Sequence, residues 1–317
     1  MLDSPPEDRL PIPDFRTNQG QTLRPSPDLL ETVQAMQRRQ EWMQEFLIEE
    51  GQESLAFVGE ANMQDSPENV AESMRSALSL SKEWAKEEQS WGNALRFLRH
   101  AIEDAEIMIV INGVVGNNTH RPLDVSEFRG FALVSPIAPL IFVNGRDAKC
   151  AQMFTLAHEL AHLWIGAEGV SNLDRLQPVG ADVEKFCNQV AAEFLVPIEE
   201  FRTEWQMVAT DPERFDRLAR TFKVSAVVVA RRALDLKYIN RQEFFAFYDY
   251  QIQVSARSNT RSTGGDFWKT QRVRIGDMFG SAVAHAVWAG RLLYRDAYKL
   301  TGLHGKTFDN YIAGLGL

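Results

Sequence analysis

Cysteine is scarce in this chain: 317 residues hold two, Cys150 and Cys187, too few for a disulfide framework. Apolar runs are short, and none approaches the roughly 20 residues that span a bilayer. The opening Met1-Leu2-Asp3-Ser4-Pro5-Pro6-Glu7-Asp8 lacks a basic stretch followed by an apolar one, so it does not read as a secretory signal, and the cytoplasm is the expected location. Positive charge is in deficit. Thirty-four Lys and Arg face 43 Asp and Glu, a net charge of -9, which argues against a generic nucleic-acid binder unless basic residues gather in one patch. Repeats and low-complexity tracts are lacking as well. What remains is a globular chain, 44% hydrophobic and long enough to bury a substantial core in one large or two modest domains.

Histidine is rare too, with six in the whole chain, yet two of them fall four residues apart in Met153-Phe154-Thr155-Leu156-Ala157-His158-Glu159-Leu160-Ala161-His162-Leu163-Trp164. On a helix that spacing stacks His158 and His162 on one face, so both imidazoles can reach one ion with Glu159 beside them. Neutral imidazole is a good zinc ligand, and a hydrolytic zinc site keeps one position open for a water whose pKa falls to about 7. Glu159 is placed to take a proton from that water and pass it to a leaving amine. The rest of the stretch is apolar almost all round, which indicates a buried helix in which three polar groups require a reason. The bland alternative is a core helix with two hydrogen-bonded histidines.

A catalytic site needs a third protein ligand. Val183, Phe186, Cys187, Val190, Ala191 and Phe194 form a helical stripe that Pro197 ends. Glu184 lies next to the stripe with Asn188 one turn on, the arrangement of a carboxylate ligand and an amide that orients a ligating group. Glu193 competes with Glu184 on spacing.

The two segments together, F-T-L-A-H-E-L-A-H-L-W and E-x-x-C-N-x-x-A-A-E-F-L-V-P, resemble the ImmA/IrrE family of bacterial metallo-endopeptidases, over roughly residues 100 to 240. The resemblance implies zinc held by His158, His162 and Glu184, Glu159 as catalytic base, and Asn188 orienting a ligand. It also implies an α+β, zincin-like core whose substrate is a helix-turn-helix repressor or an antitoxin-like protein.

In chain order, residues 1–26 read as an extended, proline-rich lead. A helical region, 27–105, follows, with Ser-Pro starts at Ser26 and Ser66 and helices expected over 27 to about 50, 67 to about 90 and 91–104. The peptidase core is expected over 106–200. It opens with strands at 107–111, 130–134 and 140–143, the last two joined by a proline-rich turn that suits an antiparallel pair. A sheet edge within 131–134 or 140–144 would hold substrate backbone by strand addition. The polar loop 116–121 carries His120, either an oxyanion stabiliser or a solvated loop histidine. Residues 201–250 contain a helix-turn-helix-like segment capped by Ser225, in which Arg220, Lys223, Arg231 and Arg232 would either meet phosphates or pack beside the core. In the last region, 251–317, a Ser/Thr/Arg/Gly loop at 255–265 precedes helices over 279–290, 292–300 and 306–315, an exosite or a dimer contact. The expected function is a zinc endopeptidase with a protein substrate, no membrane partner and a possible homo-oligomeric state. The rivals are a DNA-binding regulator that keeps a structural or sensing metal site, and a partner-binding module without proteolysis.

Overall fold

A computed structural model describes residues 25–166, 181–257 and 267–316. Residues 1–24 of the proposed lead, and 258–265 of the expected loop, lie outside the described residues. Helices α1 (Pro27–Glu49), α2 (Pro67–Ala77) and α3 (Trp91–Asp104) come first. Strands β1 (Met108–Asn112), β2 (Val114–Val115), β3 (Asn118–Pro122), β4 (Gly130–Leu133) and β5 (Leu140–Asn144) follow. Helices α4 (Lys149–Ile165), α5 (Ala181–Leu195), α6 (Ile198–Val208), α7 (Arg214–Phe222), α8 (Ala226–Asp235) and α9 (Arg241–Arg257) come next, then α10 (Phe267–Ile275), α11 (Asp277–Trp288), α12 (Tyr294–Thr301) and α13 (Lys306–Ala313). This is an α+β chain with a small sheet among many helices.

The sheet runs β1-β5-β4, with β4 antiparallel to β5 as the short turn predicts and β1 parallel to β5. Both faces are covered, which is why β1 and β5 are buried along their whole length and read as continuous apolar runs. Ile109, Ile111, Ile141 and Val143 point into a core shared with α3, α4 and α5. Met108, Val110, Leu140 and Phe142 point the other way, into a second core built with α1 and α11. The C-terminal helices therefore back the sheet that carries the candidate site on its front.

Three expectations change. Residues 67–90 are not one helix: α2 stops at Ala77, Ser79 takes a left-handed φ of 54°, and a short 3-10 turn at Trp84–Glu87 brings Trp84 and Ala85 into the core. The polar loop at 116–121 is largely strand, because Asn118–Pro122 pairs back on β2 in a hairpin whose exposed residues show no apolar alternation. The helix preceding the expected 255–265 loop extends through Arg257.

Helix α4 is fixed at both ends. Gln152 Nε2 donates to the carbonyls of Gly145 (3.1 Å) and Asp147 (2.7 Å). At the other end, where helical carbonyls lose their partners, the N–H groups of Gly59 and Ala61 donate to Leu163 O (3.0 Å) and Trp164 O (2.8 Å). Gly166 closes the helix at a φ of 48°, and a Cβ there would meet Gly59 Cα at 2.3 Å. Phe57 stacks on Trp164 with centroids 4.4 Å apart, and Trp164 Nε1 donates to Ser73 Oγ at 3.0 Å. The segment before α2 thus locks the helix that carries both histidines.

Candidate metal centre

His158 and His162 lie one turn apart on α4, and Glu184 faces them from the first turn of α5. The two Nε2 atoms stand 3.0 Å apart, with the Glu184 carboxylate 3.1 Å from His158 Nε2 and 2.9 Å from His162 Nε2. One donor atom from each of the three lies within 4.8 Å of the other two. Apolar packing drives this meeting. Phe186, Cys187, Val190 and Ala191 of α5 enter the same core as Leu156, Ala157, Leu160 and Ala161 of α4, so the polar faces are turned together at the rim.

The electrostatics follow from the crowding. Burial opposes a charge on His162, but hydrogen bonds with Cys187 and Glu184, and the nearby Glu159 carboxylate, outweigh it and hold its pKa well above the ordinary value. Burial likewise opposes ionised Glu184, and the bonds to His158 and His162 overcome it, so the carboxyl lies far below its usual range. Burial raises the Cys187 thiol despite its bond to His162. Two imidazoles and an ionised carboxylate are the nitrogen and oxygen donors a metalloprotease site uses. Ligands about 2.0–2.2 Å from a tetrahedral ion stand roughly 3.4 Å apart, so these atoms need to separate only slightly to fit one.

Glu159, 7% exposed, follows His158 on α4 and lies outside the three-donor group. It sits against β4: a Cβ on Gly130 would come 3.5 Å from Glu159 Cγ, 2.4 Å from Thr155 Cγ2 and 2.7 Å from Phe142 O. Only glycine lets the edge strand approach α4 so closely. A Gly130→Ala change is therefore expected to cost about 1–3 kcal/mol in urea unfolding, as overpacked cores do, because the Phe142 carbonyl belongs to the central strand and cannot move aside. Unchanged stability would show that β4 is free to shift.

Glu193, the competitor for the third ligand position, is spoken for. Its carboxylate pairs with Arg232 of α8 and accepts from Ile198 N at 3.2 Å, while Arg232 Nε donates to Val196 O at 3.0 Å and Arg75 Nη1 to Glu193 O at 3.0 Å. This buried knot joins α2, α5, α6 and α8. Removing one member of such a pair strands the other, so Glu193→Ala should lose about 3–5 kcal/mol of stability in chemical denaturation. A loss below 1 kcal/mol would contradict the assignment.

His120 is not brought to the centre. It is exposed on β3, in a hairpin whose Val115 belongs to the core behind the sheet and whose Arg121 pairs with Asp28 and Glu31 of α1, each at 2.7 Å. The basic quartet of the helix-turn-helix-like segment is dispersed. Arg232 is buried on Glu193, Lys223 is 7% exposed and donates to Arg220 O, Arg231 pairs with Asp235 at 3.0 Å, and Arg220 lies 3.9 Å from Glu213. Asn188 lies one turn beyond Glu184, and both line an open groove of about 850 Å³ that reaches Phe154, Val228 and Phe244. Gly130 escaped sequence reasoning, and Cys187 was read there only as part of the apolar stripe and the motif. Cys187 was legible as the i+3 neighbour of Glu184 on one helix face, and Gly130 as a glycine inside a strand, a mark of close backbone approach.

A helix bearing His158, Glu159 and His162, an acidic side chain from the next helix and a flanking strand edge define the metallopeptidase class. Residues 103–234 match the family model of the IrrE N-terminal-like domain, peptidase family M78. This part of the chain is thus an ImmA/IrrE-family metallopeptidase domain. Residues 275–313 match a second model, a domain of unknown function, DUF8813. No curated protein matches the chain.

Proposed function

We propose that the chain is a zinc-dependent endopeptidase that cuts a specific protein partner, a helix-turn-helix repressor or an antitoxin-like protein. The observation that carries this reading is the convergence of His158, His162 and Glu184 beside Glu159, in a domain of the M78 family. Zinc in that donor set supplies Lewis acidity, which acidifies water and polarises a carbonyl. Glu159 then takes the proton of the attacking water and returns it to the leaving amine, a transfer its place next to His158 allows. Edge strand β4 supports a peptide substrate: β5 covers one side of it, and Gly130 brings its backbone beside Glu159. A chain segment adding to that edge by main-chain hydrogen bonds passes next to the base. The groove beyond Glu184 leaves room for side chains on one side of the scissile bond.

The test is co-expression with each helix-turn-helix protein encoded beside this gene, with metal measured by mass spectrometry on the purified chain. One zinc per chain and a discrete fragment of one partner are expected. A chain that binds zinc no more tightly than a His158→Ala, His162→Ala variant, or partners that all stay intact, would overturn the reading.

A further inference from the structure

Behind the sheet, on the face turned away from α4, a cavity of about 560 Å³ opens between α1, the β2–β3 hairpin and α12. Sites for small molecules have this size and favour places where separately built parts meet. Three parts meet here: α1 precedes the residues matched by the peptidase model, the hairpin lies inside that match, and α12 belongs to the second matched domain. Met36, Trp42, Val114 and Leu292 give the cavity apolar walls.

Its charges are unusual. Arg38, Arg39, Arg274 and Lys299 line it, in a chain whose net charge is -9. Of the two carboxylates in the wall, Glu31 pairs outside it with Arg121 at 2.7 Å, while Asp296 pairs with Arg295 at 3.4 Å and with the wall's own Lys299 at 3.3 Å, which leaves the three arginines in excess. Arg39 and Arg274 are half-buried, and among the described residues neither has a carboxylate, although Arg39 lies over the Phe279 ring at 5.4 Å. Arg39 donates from Nε to Leu300 O at 2.9 Å and from Nη1 to Arg274 O at 3.0 Å, which caps the ends of α12 and α10 and occupies part of its fork. Among the described residues the Arg274 guanidinium has one hydrogen-bond contact, with Asn117 Oδ1 at 3.5 Å. Burial lowers the pKa of both, Arg39 to about 10, as expected for guanidiniums partly withdrawn from water without gaining an anion.

We propose that this cavity binds a small organic anion, a carboxylate or phosphate ester on a flat apolar body, with Arg39 and Arg274 holding the head and Trp42 and Met36 the body. Arginine's planar fork suits either head group, and an indole face suits a flat body. The site is independent of the peptidase reading, since none of its residues touches the metal centre.

Titration calorimetry of the full chain with 1-naphthaleneacetate, 1-naphthyl phosphate and the neutral 1-naphthaleneethanol tests it. At least one anion is expected to bind, with the alcohol about tenfold weaker or more, the worth of a charge-assisted hydrogen bond. Binding by only one anion identifies the head group and supports the site. Arg274→Met should erase the preference for the anion without lowering the thermal midpoint of the ligand-free protein, which also separates this site from anion binding at the metal. Asn117→Asp gives up the bond from Asn117 Nδ2 to Gly302 O (3.0 Å) but hands Arg274 an internal carboxylate, so it should block the anions. No binding of either anion at about 1 mM, equal binding of the alcohol, or full anion affinity in Asn117→Asp would each overturn the proposal.

Discussion

A Glu159→Gln protein is expected to fold and to hold metal as the parent does, and to cut its partner about 10²–10⁴-fold more slowly, the usual worth of a positioned general base. Glutamine keeps the volume of the side chain, which matters because Glu159 is 7% exposed and packed beneath Gly130. It keeps an acceptor oxygen but cannot take a proton at neutral pH. The three donors His158, His162 and Glu184 are untouched by the change, so metal content should not fall. Single-turnover cleavage with metal quantified in the same sample separates the two functional readings. A peptidase loses turnover and keeps its ion, whereas a regulator with a structural metal site is indifferent to position 159. Cleavage by Glu159→Gln at the parental rate would remove Glu159 from the chemistry.

The parts of the fold that sequence carries are those set by local periodicity. The helices over 27–49, 91–104 and 149–165 follow from apolar residues at helical spacing and from Ser26 and Ser90, whose side chains accept from the N–H groups of Leu29 and Asn93. The antiparallel pairing of β4 with β5 follows from a short proline-rich turn. Parallel pairing of β1 with β5 is not local, since it is fixed by the two cores that clamp the sheet from opposite sides. The candidate centre divides the same way. The spacing of His158 and His162 names one helix face by itself, and the family resemblance singles out Glu184. Spacing alone could not decide between Glu184 and Glu193, because the answer lies in Arg232, 39 residues beyond Glu193, and in Arg75 on α2. The β2–β3 hairpin was hidden for a related reason: its strand Asn118–Pro122 is exposed or half-exposed throughout and so carries no burial pattern.

The second large effect is expected from Glu184→Ala, read against Glu193→Ala. Glu184 is the one member of the donor group supplied by α5, so metal binding through it ties α5 to α4 across the rim of their shared core. Removing a group that merely hydrogen-bonds a ligand costs roughly 10–100-fold in metal affinity, and removing a ligand itself should cost more. Binding that favours the folded state adds about 2.7 kcal/mol when the ion is present at 100 times its dissociation constant. The parent should therefore lose thermal stability when a chelator is added, and Glu184→Ala should not respond. Glu193→Ala reverses the pattern. Its stability falls because Arg232 is left buried without its carboxylate, yet its chelator response should match the parent's, since Glu193 faces α8 rather than the histidines. Thermal unfolding of the three proteins with and without chelator reads both effects in one experiment. If Glu193→Ala were the variant that stopped responding, the carboxylate that completes the metal centre would have been misassigned, and the convergence seen for Glu184 would be no more than an ion pair between a glutamate and two histidines.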